Sequence, residues 1–166
     1  MPDEPHSQAA LRALHDEVDA RVAVLQRRHA ARLHCRRGCT GCCTDGLTVF
    51  EIEANRIRAH HAALLAEGKP GPPGACAFLD ADGACRVYAD RPYVCRTQGL
   101  PLRWIDHELQ AEYRDICELN EQGSPLESMD ADACWLLGPY EARLAQLQAD
   151  ACGGDPRRVA LRSLFE

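Results

Sequence analysis

Apolar residues recur at steps of three and four near the start of the chain: Leu11, Leu14, Val18, Val22, Leu25, His29 and Leu33. That period lays one stripe along a helix, which Ser7 can cap and which runs to about His34. Arg21, Arg27, Arg28 and Arg32 fall on its other faces and read as solvated charge. The stripe ends where Cys35 begins a loop. A second apolar run, Leu47–Phe50, follows it. Thr48 with Glu51 three residues on has the form of a capping box, predicting a helix from about Val49 to Glu67 that Gly68 ends. Ile52, Ile57, Ala59, Ala63 and Leu64 are its candidates for burial. His60 and His61 near its far end read as surface or core residues, not as ligands.

Residues 69–74 hold three prolines and two glycines and predict an irregular loop. Asp82-Gly83, flanked by Cys76-Ala77-Phe78-Leu79 and Cys85-Arg86-Val87-Tyr88, predicts a tight hairpin-like turn. Pro92 suits the first position of a short helical turn. Two strands are expected, Leu100–Ile105 and Leu109–Leu119, around Asp106-His107. Pro139 opens a helix to about Asp150, and Asp155-Pro156 opens a last one bearing Val159, Leu161 and Leu164. The expected fold is mainly α, with irregular cysteine-rich loops and a small β-hairpin. It reads as a metal-centred single domain over 7–166 behind a disordered tail at 1–6. The cysteine core spans about 35–99, with a C-terminal extension at 100–166.

Composition narrows the function. A net charge of −6 argues against a general phosphate-backbone binder, and 5% aromatic residues against a stacking platform for single strands. No nucleic acid is therefore expected as partner. The first six residues carry no apolar signal region, and no run is long and apolar enough to cross a membrane. The expectation is a cytoplasmic protein without a membrane partner, in which thiols favour metals over structural disulfides.

Ten cysteines stand out against that background. Four fall in Cys35-Arg36-Arg37-Gly38-Cys39-Thr40-Gly41-Cys42-Cys43, where two glycines let the backbone fold back and aim several sulfurs at one point. Cys76, Cys85 and Cys95 follow. Thiolate is the soft ligand that zinc and iron–sulfur clusters take, and Cys39-x-x-Cys42 is a chelate spacing. Seven clustered thiols exceed the four that one tetrahedral ion binds. Adjacent Cys42 and Cys43 diverge, so the expectation is one four-thiolate site with thiols left over, or two sites sharing this core. The main site draws on Cys39 and either Cys42 or Cys43 with Cys76, Cys85 and Cys95. Arg36, Arg37, Arg86, Arg91 and Arg96 are placed to offset thiolate charge through outer hydrogen bonds. Cys117, Cys134 and Cys152, isolated among apolar neighbours, read as buried small residues. Tyr88 and Tyr93 read as packing residues.

The ordered set Cys39-Thr40-Gly41-Cys42-Cys43, Thr48-x-x-Glu51, Cys76-x-Phe78-Leu79, Gly83-Ala84-Cys85-Arg86-Val87-Tyr88 and Arg91-Pro92-x-x-Cys95-Arg96 resembles the YkgJ-type cysteine-cluster family. That family is named for a CxxCxxCC signature and a proposed zinc- or iron-chelating role. One spacing departs from it: Cys35-x3-Cys39 stands where the signature has two intervening residues. The resemblance implies metal chelation by these cysteines and no particular reaction. A similar cluster occurs in flagellin lysine methylases, which keeps a catalytic iron–sulfur role as the alternative.

The leading expectation is a protein that binds zinc or iron through the CxxxCxxCC loop and the three downstream cysteines. The alternative is a redox or catalytic iron–sulfur protein. The chain carries no phosphate-binding glycine loop, Ser/His/Asp motif or HExxH to name an enzyme. Thiol–disulfide exchange is weaker still, because no strand–helix pattern precedes the CxxC. A protein partner, or a second copy pairing through the first helix, is compatible with its length.

Overall fold

A computed structural model describes residues 4–166. Helix α1 spans Glu4–Arg28, and its stripe is what it buries: Leu11, Leu14, Val18, Val22 and Leu25 are at most 4% exposed. Removing each such side chain from water contributes roughly 1.5–3 kcal/mol. The stripe packs on Ile52, Tyr93, Leu100, Trp135 and Leu144 to form the first of two cores. The stripe is thus consumed within the chain, and a dimer through α1 would have to use its polar faces. Ser7 lies inside the helix instead of capping it. Of the expected tail, Met1–Asp3 lie outside the described residues, and the helix includes the rest.

The helix also stops short of His34. His29 turns its Nε2 to the Ala133 carbonyl at 2.7 Å. Arg32 then folds inward: its guanidinium donates to the carbonyls of Glu121, Gln122 and Ser124 at 2.9–3.0 Å. Arg32 is 9% exposed, so the solvated face expected for it is corrected here. A guanidinium's five N–H donors, spread over a planar fork, can satisfy three carbonyls of one loop. Arg28, by contrast, stays half-exposed beside Asp130 and Asp132.

The second predicted helix divides into three elements. Strand β1 (Thr48–Phe50) comes first, then α2 (Glu51–His60) and α3 (Ala62–Glu67), with Gly68 after α3 as expected. Thr48 caps nothing; its hydroxyl accepts from Arg158 Nε at 3.1 Å. The backbone N–H of Ile52 is satisfied instead by Oε1 of the fully buried Gln148, at 3.0 Å. Ile52 and Ile57 are buried and Leu64 half-buried, while Ala59 and Ala63 are exposed. The helix breaks at His61 because His60 and His61 both clasp Asp90, at 3.1 and 2.9 Å, alongside Arg56 at 2.8 Å.

The two strands around Asp106-His107 form as β2 (Leu102–Asp106) and β3 (Ala111–Asp115), antiparallel with Trp104 opposite Tyr113. The short β4 (Trp135–Leu136) adds to β2 in parallel. Helix α5 (Pro139–Ala151) begins on its proline as expected. The predicted last helix is a strand instead: β5 (Arg158–Ala160) pairs antiparallel with β1, and a 3₁₀ turn follows at Leu161–Phe165. The pairing seats Leu161 and Leu164 in a second core with Val49, Ala54, Ile57, Phe78 and Val87. The architecture is mainly helical with two small sheets. Among the described residues, no helix is long and apolar enough to cross a membrane.

Candidate metal centre

The cysteine segments lie along the second core. Cys76 is one of its buried members, and Cys43 and Cys85 pack against it. Three stretches of chain meet there, each fixed by backbone bonds.

The first is the loop. Arg36 O accepts from Cys39 N, and Thr40 O from Cys43 N, both at 2.9 Å, so two consecutive turns present Cys39, Cys42 and Cys43. Gly38 takes φ +86°, which a β-carbon would disfavour. Cys43 O then accepts from Cys76 N at 2.9 Å, and Thr44 bridges to Ala75. This stitch ties the first segment to the second.

The second segment folds back at Asp80, whose Oδ1 accepts from the N–H groups of Asp82 and Ala84 at 2.9 and 2.8 Å. Leu79 bridges to Cys85 across the turn, the tight turn expected at Asp82-Gly83. Gly83 backs onto the first loop: a β-carbon there would stand 3.1 Å from Thr40 Cγ2. Arg86 holds the segment from outside, donating to the carbonyls of Lys69 and Ala77 at 2.8 and 2.7 Å. Arg162 clamps the loop before it. Its guanidinium meets Asp45 at 2.8 Å and the carbonyls of Gly71, Pro72 and Ala75 at 2.8–3.0 Å.

The third segment is α4 (Tyr93–Arg96), which carries Cys95, with Pro92 at the N-cap, one position before the one expected. Glu53 Oε1, 3% exposed, accepts from Tyr93 N at 2.7 Å and pairs with His15 Nε2 at 3.2 Å. Tyr93 belongs to the first core, stacks on Tyr140 and accepts a hydrogen bond from Trp135 Nε1 at 2.9 Å. Cys95 is therefore carried to the thiol cleft by a turn rooted in the first core.

These segments enclose a cleft of about 570 Å³ onto which Cys35, Cys39, Cys43, Cys85 and Cys95 open. The thiols act on one another. Cys43 holds its proton far above the ordinary thiol range because Cys42 accepts from it, because it is partly buried, and because Cys76 and Cys95 lie near. The same shared proton lowers Cys42 to about 6. Burial first, then the neighbouring Cys76 and Cys85, pushes Cys95 up to about 12. Burial raises Cys85 as well. Cys42, Cys43, Cys76, Cys85 and Cys95 thus form one electrostatic group drawn from all three segments.

The donor chemistry suits a soft ion: five neighbouring thiols. Their spacing is that of a gathered set, not a closed one. Among the described residues, no three Cys, His, Asp or Glu side chains stand close enough together to hold a metal ion. The single mainly helical domain stands as expected; a metal at its centre is not shown by this arrangement.

The remaining expected participants are distributed around this group. Arg36 and Arg37 are exposed where they line the cleft. Arg91 and Arg96 also line it but reach away to Asp19, at 3.4 and 2.6 Å. Arg96 is 5% exposed, and its Nε has no partner among the described residues. Cys134 is buried, whereas Cys117 and Cys152 are only half-buried. Tyr88 is exposed under the guanidinium of Arg91, and Tyr93 packs in the core. His60 and His61 bind Asp90. Cys35 stands apart on Asn120, whose Nδ2 donates to its sulfur at 3.2 Å. Neither Asn120 nor Arg162 carries a local sequence signal: each acts across 85 residues or more.

A thiol held to its proton by folding adds stability below the ordinary thiol value of 9.0, and loses it as pH rises through the folded value. Cys85 and Cys95 are both of this kind. Chelator-treated protein is expected to lose thermal stability between pH 9 and about 12. Differential scanning calorimetry across that window checks it, and a flat Tm would contradict it.

Residues 34–118, just over half of the chain, match the CxxCxxCC family, described as a putative zinc- or iron-chelating domain. The chain belongs to that family. No curated protein and no solved structure matches it. The matched stretch contains the loop, all three downstream cysteines, β2 and β3.

Proposed function

We propose that this chain is a thiolate chelator that takes zinc or iron at the cleft enclosed by its three cysteine segments. The inner ligands are Cys43, Cys76, Cys85 and Cys95, with Cys42 and Cys39 at hand in the loop. The observation that carries this reading is that cysteines from three stretches of chain are brought together: Cys43 O accepts from Cys76 N at 2.9 Å, Leu79 bridges to Cys85, and Cys43, Cys85 and Cys95 open onto one cleft. Thiols in that relation have little to gain from one another without a cation, whereas a divalent ion turns their mutual repulsion into shared attraction. Each thiol that binds must release its proton, so binding strengthens as pH rises and protons appear in solution. Arg96, with its unpartnered Nε, and the exposed Arg36 and Arg37 are available to offset the charge left by four thiolates on a divalent ion. A reducing cytoplasm is the compartment that would keep such thiols free.

The second reading is an iron–sulfur protein. The cleft volume of about 570 Å³ favours it, because a site beside the thiols would leave room for a substrate. Purification with and without oxygen, followed by elemental analysis and a visible spectrum, separates the two. Colourless protein with zinc at about one or two per chain supports chelation. A brown protein with about four irons and sulfides per chain supports the cluster. Protein with no bound metal that takes up neither zinc nor iron overturns both.

A further inference from the structure

The socket around Cys35 distinguishes this cysteine from the other thiols of the cleft. Its sulfur accepts from Asn120 Nδ2 at 3.2 Å. Asn120 is fully buried and fixed on both sides: its Nδ2 also donates to Gly99 O at 2.8 Å, and its Oδ1 accepts from His34 N at 2.8 Å. Gly99 completes the seat. Its φ is +87°, and a β-carbon there would collide with the Cys35 sulfur. The residue itself is nonetheless exposed. It lines the thiol cleft on one side and, on the other, a smaller cavity of about 240 Å³ bordered by Gln26, Leu33, Gln98 and Leu100. The three-residue spacing to Cys39 is what lets this thiol stand apart from the loop turns at 36–39 and 40–43.

We propose that Cys35 is a capture thiol: it takes the incoming metal ion from solvent and passes it to the inner thiols, without remaining in the final ligand set. This rests on the chelation reading above. The chemistry of the seat suits a transient ligand. The amide N–H of Asn120 orients the sulfur without adding positive charge that would repel a cation. The same hydrogen bond draws electron density from the sulfur, so its bond to a metal is the more easily exchanged. With hydrated zinc(II), the Cys35 thiol releases its proton to solvent and forms one S–Zn bond as one Zn–water bond breaks. Inner thiols then release protons to solvent and form their own S–Zn bonds as the remaining Zn–water bonds and the Cys35–Zn bond break, and the Cys35 sulfur takes a proton back from solvent. No electrons change hands.

The test compares rate with equilibrium for zinc(II), using full-length wild-type protein and Cys35→Ser and Cys35→Ala variants. Stopped-flow mixing with a chromophoric zinc indicator reads loading, and competition titration reads Kd and stoichiometry. Loading is expected to slow roughly tenfold in both variants, with Kd within about twofold of wild type and stoichiometry unchanged. A Kd weakened as strongly as by loss of an inner thiol would make Cys35 a permanent ligand and overturn the proposal. Unchanged loading would make it a bystander and overturn it too, while leaving chelation intact. Wild-type protein that binds no zinc would remove both readings together.

Discussion

Cys95→Ser is expected to weaken zinc(II) binding by a hundredfold or more. An apparent binding free energy of about 10–16 kcal/mol, shared among four thiolates, assigns roughly 3 kcal/mol to each. Cys95 is the thiol for which that share should be most visible. It alone is delivered by α4, so no neighbour in sequence can replace it, whereas Cys42 can substitute for Cys43. Serine is nearly isosteric but does not ionise near neutral pH. Competition titration reads the change, with Cys117→Ser as the comparison, since Cys117 lines no part of the cleft. Cys117→Ser should leave Kd within about twofold. Equal small effects from both substitutions would place the metal elsewhere.

The second large effect is expected at Glu53. Its carboxylate sits 3% exposed between Tyr93 N and His15 Nε2. Glu53→Ala leaves both groups unpartnered in the interior, at a cost of about 3–5 kcal/mol. That is a large part of the roughly 5–15 kcal/mol that holds an ordinary domain together. Glu53→Gln keeps one acceptor oxygen and should cost less, about 1–2 kcal/mol. Because Tyr93 N begins the turn that carries Cys95, the alanine variant should also lose metal affinity along with stability. Urea unfolding followed by circular dichroism gives the first quantity. An alanine variant as stable as wild type would mean that the Tyr93–Glu53 bond does not anchor α4.

Much of the framework was legible in the pattern of the chain. The α1 stripe is legible because its spacing repeats over four turns and each residue reports the same buried face. Pro139 and the Asp82-Gly83 turn are legible because a proline ring or a positive φ is a local constraint. The pairing of β1 with β5 is not: two three-residue strands lie about 110 positions apart, and neither is long enough to show a period. Val159 and Leu161 suit a helix and a strand equally well; Val49 decides between them. Arg32 shows the same limit from the polar side. On a helix face it reads as solvated, yet three carbonyls of a distant loop draw it inside.

The thiol group itself was readable as a set of residue types and spacings, because several cysteines at chelate spacing within one loop read as metal ligands. Its internal division was not. Nothing local to Cys35 announces that Asn120 and Gly99 will seat it apart from the others. Nor does the sequence say that Cys76 belongs to a hydrophobic core as much as to the cleft. Arg91 and Arg96 read as partners of the thiols, yet both guanidiniums donate to Asp19 on α1.

The central claim is that sulfurs from the loop, from the Asp80 turn and from α4 bind one ion together. Alkylation of every cysteine, followed by mass spectrometry with and without one equivalent of zinc(II), tests it most directly. The account predicts that protection of Cys43, Cys76, Cys85 and Cys95 rises in step, while Cys117 and Cys152 keep their rates. Zinc that protects the loop cysteines alone, or leaves all ten unchanged, would contradict it.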